Sequence, residues 1–197
     1  MLNNIEPLNI ILGSQSPRRR ELMAGLDIPF SCVTIDADES YPTYLQAGDI
    51  PLYISRAKAR AYASELREND LLITSDTIVW LNGEMLGKPQ DEADAKAMLS
   101  RLSGQTHEVY TAVCFADMNG ELETLVDCTK VTFKTLSEEE INYYVTKYHP
   151  LDKAGAYGVQ EWIGYIGIEK IVGSYYNVMG LPIQRLYQEL INFLALK

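Results

Sequence analysis

The chain has 197 residues, of which 47% are hydrophobic and 22% charged, with a formal net charge of −10. That length suits one sizeable domain, or at most two small lobes sharing a core, and the composition is that of an ordinary soluble globular protein. The acidic balance excludes broad nucleic-acid binding, which needs a basic footprint, and no apolar run approaches the roughly 20 residues that span a bilayer.

The start, Met1-Leu2-Asn3-Asn4-Ile5-Glu6, lacks the basic and apolar stretches of a secretory signal, so a cytoplasmic location is expected. Cys32, Cys114 and Cys128 are an odd number without metal-ligand spacing. With only His107 and His149 beside them, no zinc site is expected.

In chain order, Asn9–Leu12 is predicted as a short buried strand stopping at Gly13. Ser16 caps a helix with Pro17 in its first position, where a missing N–H costs nothing, and Leu22, Met23 and Leu26 form its apolar face. A second helix is predicted from about Leu52 to Leu66, carrying Arg56, Lys58 and Arg60. Leu71–Thr74 and Thr77–Leu81 are strand segments with a break between them, and Asn82-Gly83 turns the chain into a hairpin through Glu84–Leu86. Asp91–Leu102 is helical and stops at Gly104. Strands near Val109–Met118 and Leu122–Phe133 follow, joined around Asn119-Gly120. Ser137–Glu140 is a capping box opening a helix to about Tyr148. Pro150–Gly158 is a loop, Tyr165–Val172 a strand, and Pro182–Leu196 a terminal amphipathic helix. Helices and strands interleave with two hairpins, which predicts an α/β fold with a mixed sheet.

Four stretches have the residue types for chemistry. Ser14-Gln15-Ser16-Pro17-Arg18-Arg19 joins a strand end to a helix N-terminus, where free N–H groups and the dipole favour an anion. Cations in a first helical turn are misplaced unless an anion visits; the alternative is a capped surface helix with solvated arginines. Thr74-Ser75-Asp76-Thr77 puts a carboxylate among hydroxyls, either as a base or metal ligand or as a turn aspartate bonded to its own backbone. The hairpin returns Gly87-Lys88-Pro89 so that Lys88 and Asp76 can face one pocket; Lys58 on the second helix is a further cation, and Asp38-Glu39 a loop acidic pair. In Asp152–Gln160 small residues allow close approach of a ligand, and Gln160 can read the edge of a base.

These blocks, with Lys58-Ala59 and Leu102-Ser103-Gly104-Gln105-Thr106-His107, resemble the Maf-like (septum-inhibition-like) family over nearly the whole chain. The resemblance implies one domain over residues 1–197 with an inosine-triphosphatase-like architecture: a mixed twisted β-sheet flanked by helices, with a cleft between two lobes. It implies a pyrophosphatase that cuts a nucleoside triphosphate between its α- and β-phosphates with the help of a divalent cation, Mg2+ or Mn2+. Asp76 matches the family's proton acceptor, and Arg18, Arg19, Lys58 and Lys88 its phosphate-binding positions, with Ser14 and Ser16 in its polar turn. Asp76 and Glu39 are the candidate metal ligands.

Ala154–Gln160 is similar to the branch of the family acting on dTTP, UTP and modified pyrimidine triphosphates, in which Arg18, Thr77 and Gln160 match the positions tied to substrate choice. The rival readings are the sister specificity for 7-methyl-GTP and a nucleotide-binding regulator of cell-division arrest. A homodimer is implied, and neither nucleic acid nor membrane is an expected partner. Three positions depart from the family's pattern. Met23 replaces a leucine, Ser75 an alanine that is common there, and Glu161 a frequent glycine, the last adding charge beside the presumed base pocket.

Overall fold

The computed structural model describes residues 8–195. Strand β1 (Asn9–Gly13) leads into helix α1 (Pro17–Ala24), whose N-cap Ser16 accepts from the Arg19 amide and whose first position is Pro17. Leu22 and Met23 are buried as expected, but Leu26 lies past the helix end and is only half-buried. A three-residue strand β2 (Ser31–Val33) follows, unannounced in the sequence because two of its three residues are exposed. Helix α2 (Asp49–Tyr62) begins three residues before the expected Leu52, since Pro51 falls in the first turn, where no helical N–H is needed. It tightens into a 3₁₀ turn, Ala63–Glu65.

The long strand β3 (Asp70–Leu81) is continuous, so the expected break at Thr74–Thr77 is absent. Neighbours satisfy the polar groups there: Thr74 is fully buried and its hydroxyl donates to Ser55 O at 2.7 Å. Asn82 and Gly83 both take positive φ, 51° and 85°, and close the hairpin to β4 (Glu84–Leu86), with Val79 opposite Leu86. Then come α3 (Glu92–Leu102), β5 (Thr106–Asp117), β6 (Gly120–Phe133) and α4 (Glu138–Tyr148). Beyond a 3₁₀ turn at Ala154–Ala156, the expected strand Tyr165–Val172 divides into helix α5 (Trp162–Gly167) and strand β7 (Ile168–Val172). Packing overrides the β-type composition of Tyr165-Ile166: a Cβ on Gly164 would lie 1.9 Å from Val159 O, so the helix backbone presses directly on that carbonyl. Short α6 (Tyr175–Met179) and α7 (Ile183–Ala195) complete the chain; Leu196, the expected last residue of the terminal helix, lies outside the described residues.

The sheet is mixed and seven-stranded, in the order β2-β1-β3-β5-β6-β7, with β4 paired to β3. β1 runs parallel to β2 and β3, while β4 and β7 run antiparallel to β3 and β6. The chain forms two compact units; three of their boundaries fall inside the long strands β3, β5 and β6, and the fourth follows Met179. One takes the residues up to Asp76 with Thr111–Asp127 and the segment from Gly180; the other takes Thr77–Tyr110 and Cys128–Met179. The first unit packs Ala59 of α2, with Leu66, against Ile11, Leu72, Cys114 and Ala116 of the sheet. Burial among these side chains pushes the Cys114 thiol up to about 12, consistent with an inert core cysteine. Among the described residues no helix is long and apolar enough to cross a membrane.

The second unit has a core of Leu99, Leu102, Val131, Phe133, Tyr144 and Ile163. Its α4 begins with the expected capping box: Ser137 Oγ accepts from Glu140 N at 3.1 Å, and the Glu140 carboxylate accepts from Ser137 N at 2.9 Å. Ser137→Ala is expected to lower unfolding stability by about 1 kcal/mol, read as a lower urea midpoint at unchanged slope. An unchanged midpoint would mean that the cap contributes nothing here.

Candidate active site

Seven of the ten site residues expected from the sequence lie in the first unit: Ser14, Ser16, Arg18, Arg19, Glu39, Lys58 and Asp76. The β1–β3 register pairs Gly13 with Thr74, so Ser14 and Ser75 are the next residues of two adjacent parallel strands. Gly13 packs closely here: a Cβ would lie 2.5 Å from Ile35 Cδ1 and would push that side chain aside. Ser14 is buried, and its hydroxyl accepts from the Ser16 amide at 3.2 Å. Its carbonyl accepts from Arg20 Nε and Nη2, each at 3.2 Å. Arg20 therefore braces the polar turn, a role with no mark in the sequence.

Asp76 is held by a cation. Lys58 Nζ lies 2.8 Å from Asp76 Oδ1 and 2.9 Å from Glu39 Oε1, so one ammonium joins the two carboxylates expected to serve as base and metal ligand. The helix phase explains the placement of Lys58. Ile54, Ser55 and Ala59 are buried on the sheet side of α2, Ser55 O takes the Thr74 hydroxyl, and Lys58 follows Ile54 by one turn. Its side chain is 12% exposed and that of Asp76 14%. Glu39, which composition alone would leave as a solvated turn residue, thus faces the site through Lys58.

Arg18 and Arg19 are both half-buried in the first turn of α1. Arg19 donates from Nε to Gly180 O at 2.8 Å and from Nη1 to Ser75 O at 2.9 Å, so its fork ties the residue before Asp76 to the turn preceding α7. Ser75 Oγ also reaches Gly180 O, at 3.5 Å, which gives the departure from alanine at this position a partner. Desolvation pulls the Arg19 pKa down and the nearby Arg18 adds to this, while Asp76 and Glu39 push it up. Two of Arg19's nitrogens thus serve the protein's own backbone, in addition to any phosphate it contacts. Gly180, which takes φ 114°, carries no mark in the sequence beyond being a glycine shortly before the terminal helix.

Thr77, Lys88 and Gln160 belong to the second unit. Thr77 is half-buried directly after Asp76 on β3, and Lys88 is exposed two residues beyond the Val79–Leu86 pair. Gly87 O accepts from Gly155 N at 3.0 Å, and a Cβ on Gly155 would lie 2.9 Å from Val79 Cγ2. The small residues of Ala154–Ala156 therefore serve close packing on β3. Gln160 is half-buried, and its Oε1 is buried without a hydrogen-bond partner. Glu161 accepts from the Tyr144 hydroxyl, and its Oε1 lies 3.1 Å from Nζ of buried Lys153, so its extra charge is compensated locally. His107 is buried with Nε2 at 2.7 Å from Tyr157 Oη and stacks on Phe133.

Among the described residues no group of three or more His, Cys, Asp or Glu side chains converges as a metal cage. The donor set offered is two carboxylates on one ammonium. Such a pair suits a hard divalent cation that takes most of its ligands from phosphate and water.

Residues 9–193 match the model of the Maf-like protein family. The dTTP/UTP pyrophosphatase of Bacteroides thetaiotaomicron is 56% identical over 96% of this chain and 98% of its own length. That of Parabacteroides distasonis is 53% identical, over 98% of this chain and all of its own. Among solved structures, the Ham1 protein of Staphylococcus aureus shares the fold with a TM-score of 0.52 at 19% identity, over 92% of this chain and 99% of that one. With the family model matched over residues 9–193 and relatives more than half identical over nearly the whole chain, the chain belongs to the Maf-like family.

Proposed function

We propose that this protein hydrolyses dTTP and UTP, and modified pyrimidine triphosphates, to the monophosphate and pyrophosphate. The observation that carries this reading is the Glu39–Lys58–Asp76 arrangement: a carboxylate fixed by a cation in the unit that also holds the Ser14–Arg19 turn. Relatives more than half identical bear the name dTTP/UTP pyrophosphatase, which supports both the reaction and the substrate.

In the proposed reaction, water attacks the α-phosphorus, the bond from that phosphorus to the α–β bridging oxygen breaks, and pyrophosphate leaves with the electron pair. Asp76 takes the water proton; Lys58 holds Oδ1, which assigns Oδ2 as the accepting atom. Arg18, Lys58 and Lys88, with the hydroxyls of Ser14 and Ser16, bind phosphate oxygens and offset their charge as pyrophosphate departs. With Asp76 serving as the base, Glu39 would hold Mg2+ or Mn2+ together with phosphate oxygens and water, and the ion when bound supplies further neutralisation of phosphate charge. Gln160 Oε1 accepts from the N3–H of uracil or thymine, with Arg18 and Thr77 also contributing to substrate choice. A nucleotide substrate of this kind fits a cytoplasmic enzyme, and the family resemblance supports a homodimer.

The test is pyrophosphate release from canonical and modified triphosphates, with and without Mg2+ and Mn2+, on protein whose mass is followed by light scattering. Metal-dependent turnover led by dTTP and UTP is expected. Turnover led by 7-methyl-GTP would keep the chemistry and overturn the substrate. No turnover with any nucleotide would leave a binding protein.

A further inference from the structure

The turn that carries Gln160 is clamped at both ends. Glu161 N donates to Gly158 O at 3.0 Å, closing four residues with Val159 and Gln160 at the centre. Tyr144 of α4, fully buried, spans the same two ends with one oxygen: it accepts from Gly158 N at 3.0 Å and donates to Glu161 Oε2. From the other side the ammonium of Lys153 lies 3.1 Å from Glu161 Oε1 and 2.7 Å from Asp152 Oδ1. Both carboxylate oxygens of Glu161 are thereby engaged. The fit is close: a Cβ at position 158 would stand 2.8 Å from Glu161 Cδ and would displace that carboxylate.

Inside this clamp Val159 is buried, and Gln160 Oε1 is a buried acceptor without a partner. Leaving such an atom unpaired is costly, so a side chain free to turn would swing it toward a donor or water. We propose that Glu161 is a positioning residue for substrate choice, holding the Gly158–Glu161 turn rigid so that Gln160 keeps Oε1 directed at an N–H donor of the nucleobase. This rests on the function proposed above. Glu161 contacts Tyr144 and Lys153 and acts on the nucleotide only through Gln160. The charge that departs from the family's pattern at this position is then part of the selectivity apparatus.

The experiment compares kcat/KM for dTTP with that for dCTP, whose cytosine N3 carries no hydrogen. Because the two substrates are read on one preparation, the ratio is independent of the fraction folded. Glu161→Gly is expected to lower the dTTP preference about tenfold, and Tyr144→Phe to move it the same way. Glu161→Gln, which keeps an acceptor for Tyr144, loses less. Gln160→Ala removes the preference, and adding Glu161→Gly to it changes the ratio no further, because the two act as one unit. A Glu161→Gly enzyme that keeps the wild-type ratio overturns the proposal, as does a double variant whose ratio shifts by a further tenfold from that of Gln160→Ala. A wild-type enzyme that hydrolyses neither nucleotide, or both alike, overturns the underlying reading of the base pocket before any substitution is made.

Discussion

Asp76→Asn is expected to lower kcat for dTTP by about a thousandfold while nucleotide binding persists, within the range for removal of a general base. The amide is nearly isosteric, and its oxygen still accepts from Lys58, so the bond at 2.8 Å survives. The strand itself does not depend on the carboxylate. Thr74 is anchored to Ser55 O, and Ser75 O is anchored to Arg19. What the substitution removes is the ability to take a proton from water. Pyrophosphate release and equilibrium dialysis with labelled dTTP, run on the same protein, separate the two roles. Retained binding with lost turnover fits a base. Turnover within tenfold of wild type would remove Asp76 from the chemistry, and lost binding would make it mainly a ligand, directly or through a cation.

Much of the fold could be read from local chemistry. Ser16-Pro17, Asn82-Gly83 and the Ser137–Glu140 box each do what their short-range stereochemistry dictates, because caps and tight turns are decided within four residues. The errors occur where distant parts of the chain decide. Ser75-Asp76 reads as a break between two strand segments because a hydroxyl and a carboxylate oppose burial, yet α2 supplies Lys58 to Asp76 and Ser55 O to the adjoining Thr74. Tyr165–Gly167, the start of the expected strand, instead closes helix α5, whose Gly164 packs its backbone against Val159 O. The site divides the same way. Asp76 and Lys58 were legible as residue types, but their pairing depends on the phase of α2 against β3. Arg19 was legible as a cation, whereas its partners at Ser75 and Gly180 are main-chain carbonyls, which no residue type reveals.

His107 should make stability depend on pH more steeply than its replacement by glutamine. On β5 it is 1% exposed, its Nδ1 is buried without a partner, and Phe133 and Tyr157 enclose the ring at centroid distances of 5.6 and 5.4 Å. Desolvation lowers its pKa from the ordinary 6.5 to about 4, so the folded chain keeps a neutral imidazole over a range in which the unfolded chain binds a proton. Because the unfolded state holds more protons there, stability rises with pH between about 4 and 6.5 and is lost as acid is added through that window. At about 1.4 kcal/mol per unit the loss from this residue approaches ~3 kcal/mol below pH 4. Carboxylates titrate in the same range in both proteins, so the informative quantity is wild type minus His107→Gln, from urea unfolding at pH 7, 5.5, 4.5 and 4. The variant starts less stable at pH 7, having lost the ring contacts, and the gap is expected to narrow by about that amount toward pH 4. A gap that stays constant would mean an imidazole that titrates normally and is reached by water. Tyr157, its hydrogen-bond partner, lies one residue before the turn that carries Gln160. If narrowing is accompanied by loss of the dTTP preference at low pH in the wild type alone, the same ring also supports that turn.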